Sequence, residues 1–173
     1  IGFQDSVYSK IVVNNGAALK IYCRNKSGSQ INFQAKSEVT IKEGGWMDID
    51  WLYFMSEANV IVRGLLSLDS EYNRLGVAYA AWNNNPDFRV ENNGVVRIGH
   101  DKGALEVASS SPSTSARGSM TLADNGTVTN KGTLYVGRND KATKARWARG
   151  IVNIDGGQWY NDGTVYVVGW KVD

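Results

Sequence analysis

The chain has 173 residues, with 19 Lys and Arg against 17 Asp and Glu, for a net charge of +2. That balance excludes nucleic-acid binding through bulk charge and excludes an acidic solvating tail. One cysteine and one histidine, Cys23 and His100, exclude an internal disulfide framework, a cysteine-built zinc site and any site needing two imidazoles, so no metal and no cofactor is expected.

The chain opens on Ile1 rather than Met and stops at Trp170-Lys171-Val172-Asp173, just after a strand-like run, so it reads as a piece of something longer. Asn14-Asn15-Gly16 is a tight-turn signal ahead of Ala18-Leu19-Lys20-Ile21, and Cys23 follows as a small buried thiol. Val39-Thr40-Ile41 alternates with the strand period of two. In Trp46-Met47-Asp48-Ile49-Asp50-Trp51 that period predicts Trp46, Asp48 and Asp50 outward, with Met47, Ile49 and Trp51 inward. Two carboxylates beside an indole form a candidate sugar or cation site, set against a plain solvated strand face. Trp82, followed by Asn83-Asn84-Asn85-Pro86-Asp87, predicts an excursion. There the ring offers stacking to a sugar and the amides offer hydrogen bonds; the alternative is that Trp82 covers a coil edge.

Asn92-Asn93-Gly94 precedes Val95-Val96-Arg97-Ile98, again turn then strand, and His100 falls in the turn that follows, beside Asp101. The hydroxyl-rich run Ser109–Ser115 is predicted to protrude, because a packed interior cannot satisfy so many hydroxyls. Between Gly137 and Gly150 the chain carries Arg138, Lys141, Lys144, Arg146 and Arg149 against Asp140 alone. The segment lies between two recognisable strands, so it is predicted to leave the fold as a loop or a short helical turn; nothing local requires five cations there, and the alternative is a solvated loop whose Trp147 folds back on the coil. With Trp147 as a stacking surface, it is the leading candidate for holding an anionic partner. Asn125–Val136 recurs 31 positions later as Gly156–Val167, with six of 12 pairs identical, and Gly118-Ser119-Met120 matches Gly150-Ile151-Val152 at 32. Fainter copies start at Asn92, Arg63 and Asn14.

Each unit reads as three short strands joined by Gly and Asn turns, and no segment keeps a helical apolar face beyond about two turns. A unit of that size cannot bury its own apolar face, whereas stacked units can. The predicted fold is all-β, a right-handed parallel β-helix with short protruding loops, spanning 1–173 as one domain. Residues 1–60 continue it or form an N-terminal cap or subdomain. An antiparallel sandwich is the competing architecture; it leaves the recurring Asn-x-Gly-Thr unexplained.

The Asn-x-Gly-Thr-hydrophobic-x-Val pattern, seen in Asn130–Val136 and Asn161–Val167, resembles the passenger domains of bacterial autotransporter adhesins of the self-associating and diffuse-adherence type, best over residues 87–170. The resemblance implies display at the bacterial cell surface or secretion. It also implies a binding function: cell–cell aggregation through a second copy, or attachment to an anionic host glycan or matrix component. That family has no consensus binding motif, so no residue role is carried over. Two other classes remain: a β-helix polysaccharide lyase or glycoside hydrolase, and a trimeric spike-like structural protein. The enzyme class would need at least three charged groups from consecutive coils converging in a groove.

Overall fold

Short runs of alternating or continuous aliphatic residues, punctuated by Gly, Asn and Asp, form strands of three to eight residues. The computed structural model describes residues 8–21, 30–34, 36–79, 85–110, 114–139 and 147–167; among them there is no helix. The first rung comprises β1 (Ser9–Val13), β2 (Ala18–Ile21) and β3 (Gln30–Phe33), and the second β4 (Ser37–Ile41), β5 (Trp46–Ile49) and β6 (Trp51–Phe54). The third holds β7 (Ala58–Val62), β8 (Leu65–Leu68) and β9 (Arg74–Tyr79), and the fourth β10 (Asp87–Val90), β11 (Val95–Ile98) and β12 (Ala104–Ser110). The fifth holds β13 (Ala116–Ala123), β14 (Thr127–Asn130) and β15 (Thr133–Asn139), and the sixth β16 (Ala148–Asp155), β17 (Gln158–Asn161) and β18 (Val165–Val167).

Every strand pairs in parallel with its equivalent one rung away, giving three six-stranded sheets. The first sheet is β1-β4-β7-β10-β13-β16, the second runs from β2 to β17, and the third from β3 to β18. This is the β-solenoid expected from the repeat. The pairings Thr127↔Gln158, Leu134↔Val165 and Gly118↔Gly150 reproduce the sequence alignment. Alternate residues point inward and stack in columns, such as Val13, Ile41, Val62, Val90 and Leu122 on the first sheet; Ile154 holds the next register position, exposed on the last rung. Phe33 stacks on Phe54 at 5.1 Å, and Phe88 meets Phe54 edge-on at 6.0 Å. Burial of these columns supplies the main driving force, and the parallel backbone ladders hold the rungs in register.

The corner between the first and second sheets turns in two to four residues at every rung. Asn92, Asn93, Asp124 and Asn125 adopt positive φ there, the conformation that Asn and Asp tolerate best after Gly. A glycine column runs down this corner. The amide after each glycine donates to the glycine carbonyl one rung away, as in Val95 N–H to Gly64 O at 2.8 Å and Thr127 N–H to Gly94 O at 2.8 Å. A Cβ on Gly94 would collide with the Val62 carbonyl.

At the corner between the second and third sheets, the sequence predicts Gly132 and Gly163 in Asn-x-Gly-Thr turns, which by turn chemistry calls for positive φ. Neither glycine has it. They are required because the coils touch: a Cβ on Gly132 would meet the Gly103 carbonyl, and one on Gly163 the Gly132 carbonyl. The asparagine of the motif supports the corner. The Asn130 side chain accepts from Gly132 N–H at 3.2 Å, donates to Gly132 O at 3.1 Å and donates to Asn161 Oδ1 at 2.7 Å.

The corner between the third and first sheets is built differently. In the first three rungs the strands entering and leaving it have four to six residues, whereas β12 and β15 have seven and β13 and β16 eight. Ala78 (φ 65), Ala108 (φ 62) and Gly137 (φ 78) stack in adjacent strands and bend them, re-aiming the residues that follow. Beyond the bend, the ends of the third-sheet strands lie back to back with the beginnings of β13 and β16. Only small residues fit between: Ala78, Ala108 and Ala116 cluster there, and a Cβ on Gly118 would come 2.5 Å from that of Ala78. The result is a narrow two-layer flange on the side of the solenoid.

Candidate functional site

The three segments that the sequence marks as excursions all fall between the third and first sheets, at this flanged corner. The chain quits the third sheet at Tyr79, Ser110 and Asn139 and is back on the first-sheet side by Asn85, Thr114 and Trp147. Ser109↔Tyr79, Ser109↔Arg138 and Ser110↔Asn139 are register partners, so the three exits are neighbours. Lys141, Lys144, Arg146, Trp82, Asn83 and Asn84 lie outside the described residues, as does Cys23.

The hydroxyl-rich run, expected to protrude, is strand at its start. Ser109 and Ser110 belong to β12 and are buried, as is Thr114, because the flange pairs them instead of releasing them. Ser110 Oγ donates to Asn139 Oδ1 at 2.7 Å.

Arg138 does not act as a free cation. Its Nη1 donates to Glu106 Oε1 at 2.7 Å, and its guanidinium lies 4.4 Å from the Tyr135 ring centre. Glu106, on the outer row of the third sheet, is 0% exposed, and Arg74 Nη1 is 3.8 Å from the same oxygen. Tyr53 lies beside this node, and burial first, with the Glu106 charge adding, pushes its phenol up to about 12 despite the opposing pull of Arg74. Arg74, Glu106 and Arg138 are thus three charged groups from consecutive rungs, the number an enzyme would need. Yet the carboxylate is fully covered, and no other carboxylate occurs in the third-sheet strands. Glycoside hydrolysis needs two carboxylates flanking an accessible bond. The node reads as a staple across rungs.

The other face of the flange, on the first sheet, is where the predicted residues meet. Arg149 is exposed in β16, and its register partner in β13 is Arg117, also exposed. Among the described residues neither has a carboxylate within ion-pair distance. Trp147, two residues before Arg149 and so on the same face, is 48% exposed, and its backbone N–H donates to Ser115 Oγ at 3.2 Å. Asn85, two residues ahead of Asp87, falls at the register position of Arg117, because Asp87 pairs with Ser119 and Ser119 N–H bonds Pro86 O. Asn85, assigned in sequence to one candidate patch, and Trp147 and Arg149, assigned to another, therefore share one surface. Arg117 is the residue that sequence reasoning missed. Its signal is the Gly118–Gly150 alignment, which sets Arg117 opposite Arg149.

The remaining candidate lies elsewhere. Trp46 is half-buried on the outer face of the second sheet, with the Lys20 ammonium 4.0 Å above its ring. Asp48 and Asp50 are 8% and 7% exposed, so they do not form an open carboxylate pair. Asp50 alone makes the corner from β5 to β6, and that single residue breaks the alternation. Trp51 consequently faces outward, with Arg74 above its ring at 5.7 Å, and Leu52 takes the inward place. His100 sits in a turn, its Nδ1 2.7 Å from Asp101. Compared with family models, with curated proteins and with solved structures, the chain matches none.

Proposed function

We propose that the protein is an attachment module of the bacterial adhesin type, displayed at the cell surface or secreted, which holds an anionic glycan or matrix component on its flange. One observation carries this reading. The flange is the place where the solenoid exceeds its minimal rung, and its first-sheet face sets two like-charged guanidinium groups side by side with an exposed indole. Loops and edges raised on a rigid scaffold are where binding surfaces concentrate. In the chain between Asn139 and Trp147 the sequence adds Lys141, Lys144 and Arg146, with only Asp140 opposing them.

A long ladder with such an edge binds through many modest contacts, and display in many copies multiplies them. The test is retention on immobilised heparin across a salt gradient, comparing the wild type with a Lys144→Ser, Arg146→Ser, Arg149→Ser variant. The variant should elute at clearly lower salt, because released counterions drive such contacts. Superimposable elution profiles would overturn the proposal.

A further inference from the structure

We infer that the Arg117–Arg149 pair is a clamp for a sulfate ester, so that the partner is a sulfated glycan rather than one bearing only carboxylates. The inference rests on the attachment reading and narrows it. The two arginines are direct register partners on neighbouring parallel strands, and side chains at paired positions stand side by side at about the 4.8 Å strand spacing. Each guanidinium is a planar fork of donors.

A carboxylate presents two oxygens whose acceptor sites lie in one plane; two arginines occupy both, as Arg63 and Arg89 do on Glu91, and no third oxygen is left for an adjacent amide. A sulfate ester has three terminal oxygens diverging as a tetrahedron, so it can accept from both forks and from an adjacent amide. Asn85 falls at the next register position along the same row, supplying that amide. The exposed Trp147 indole on the same face adds an apolar surface for the C–H face of a pyranose.

A nucleic acid also carries tetrahedral anions, but single-stranded recognition uses successive aromatic platforms, one per base. The described flange face provides a single exposed ring. A sulfated glycan therefore fits better.

The experiment compares elution salt on three immobilised polymers: dextran sulfate, carboxymethyl-dextran of matched charge density, and poly-deoxythymidylate. The wild type should need about twofold more salt to leave dextran sulfate than to leave either of the others. Arg117→Lys and Arg149→Lys keep the charge and lose the fork, so each should bring dextran sulfate elution down toward the carboxymethyl-dextran value. Circular dichroism melts of each variant verify that the ladder is intact. Equal elution from the sulfated and carboxylated polymers, or lysine variants that keep the preference, would overturn the sulfate clamp while leaving attachment standing. Tightest binding to poly-deoxythymidylate would overturn it in favour of a nucleic acid. Failure to bind any polymer at low salt would remove the attachment reading and the clamp with it.

Discussion

At the corner between the first and second sheets, every rung turns within two to four residues, and a column of glycines lets backbone rest on backbone. At the corner between the third and first sheets, the later strands lengthen to seven and eight residues and bend through stacked positive-φ positions. Both corners rely on small residues, for opposite ends. In the first, glycine permits the shortest path around the core. In the second, alanine and glycine let two layers approach closely enough to form a wing with almost no core of its own. A solenoid tolerates this division because each rung contacts only its neighbours, so one corner can diverge while the other two keep the stack in register.

The comparison breaks if the flanged side contributes nothing to stability at its root. The Glu106 node is the place to ask. Arg138→Ala would strip the closest partner from a fully buried carboxylate, and the expected loss is about 3–4 kcal/mol in urea unfolding. Replacing both members together, Glu106→Leu with Arg138→Met, should recover most of that loss, since an apolar pair leaves no stranded charge. If the single variant unfolded like the wild type, the third sheet's outer face would not be what anchors the flange.

The tight corner offers the next effect and separates two reasons for glycine. Gly94→Val meets the Val62 carbonyl with no change of φ needed, and should lose about 3 kcal/mol through forced separation of rungs. Gly16 has φ +71 with open space around its Cβ position, so Gly16→Val should lose only about 1–2 kcal/mol from backbone strain. Gly132→Val should group with Gly94→Val, though its sequence context suggests the other class. Equal losses at Gly16 and Gly94 would show that clash and strain are not separable here.

What the sequence reveals, and what it hides, follows the same distinction. The 31- and 32-residue periods, the strand-turn-strand-turn-strand unit and the inward positions of Val39, Ile41, Leu134 and Val136 depend on local pattern, and they are legible. The reason for Gly132 is not, because it lies in the carbonyl of Gly103 one rung away. The alternation points Trp51 inward, because nothing in Ile49-Asp50-Trp51 announces that one residue makes a whole corner. The meeting of Asn85, Arg117, Trp147 and Arg149 depends on the register between rungs, which sets Asn85, Arg117 and Arg149 in one row. Arg138 reads in sequence as a binding cation, and only the fold brings it to Glu106, 32 residues earlier, which holds it.

A pH titration probes the outer face of the third sheet at intermediate magnitude. Tyr53 is raised from its usual 10.0 to about 12, chiefly by burial. A group raised on folding contributes its full stability below the unfolded value and loses it as pH climbs through the folded value. Stability should therefore fall by about 2–3 kcal/mol between pH 10 and pH 12 for this group. Tyr53→Phe should flatten that part of the curve relative to the wild type. Parallel alkaline curves for the two proteins would mean that Tyr53 is not buried against Tyr79 as the ring contact requires.

The smallest expected effect is the most informative about purpose. Arg117 and Arg149 stand directly opposite each other in a parallel ladder, where like charges repel by about 0.2–1 kcal/mol. Arg149→Ser should therefore stabilise the protein slightly, by about 0.5 kcal/mol in low salt. The gain should vanish near 1 M salt, where the screening length shrinks to about 3 Å. Arg97 provides the contrast. It is bonded to Asp69 and Ser67 on the second sheet, so Arg97→Ser should destabilise in low salt. A residue whose removal strengthens the fold while weakening retention on heparin is kept for what it binds. If Arg149→Ser instead destabilised the protein at every salt concentration, the pair would belong to the flange's own structure, and the two corners would differ in shape without differing in role.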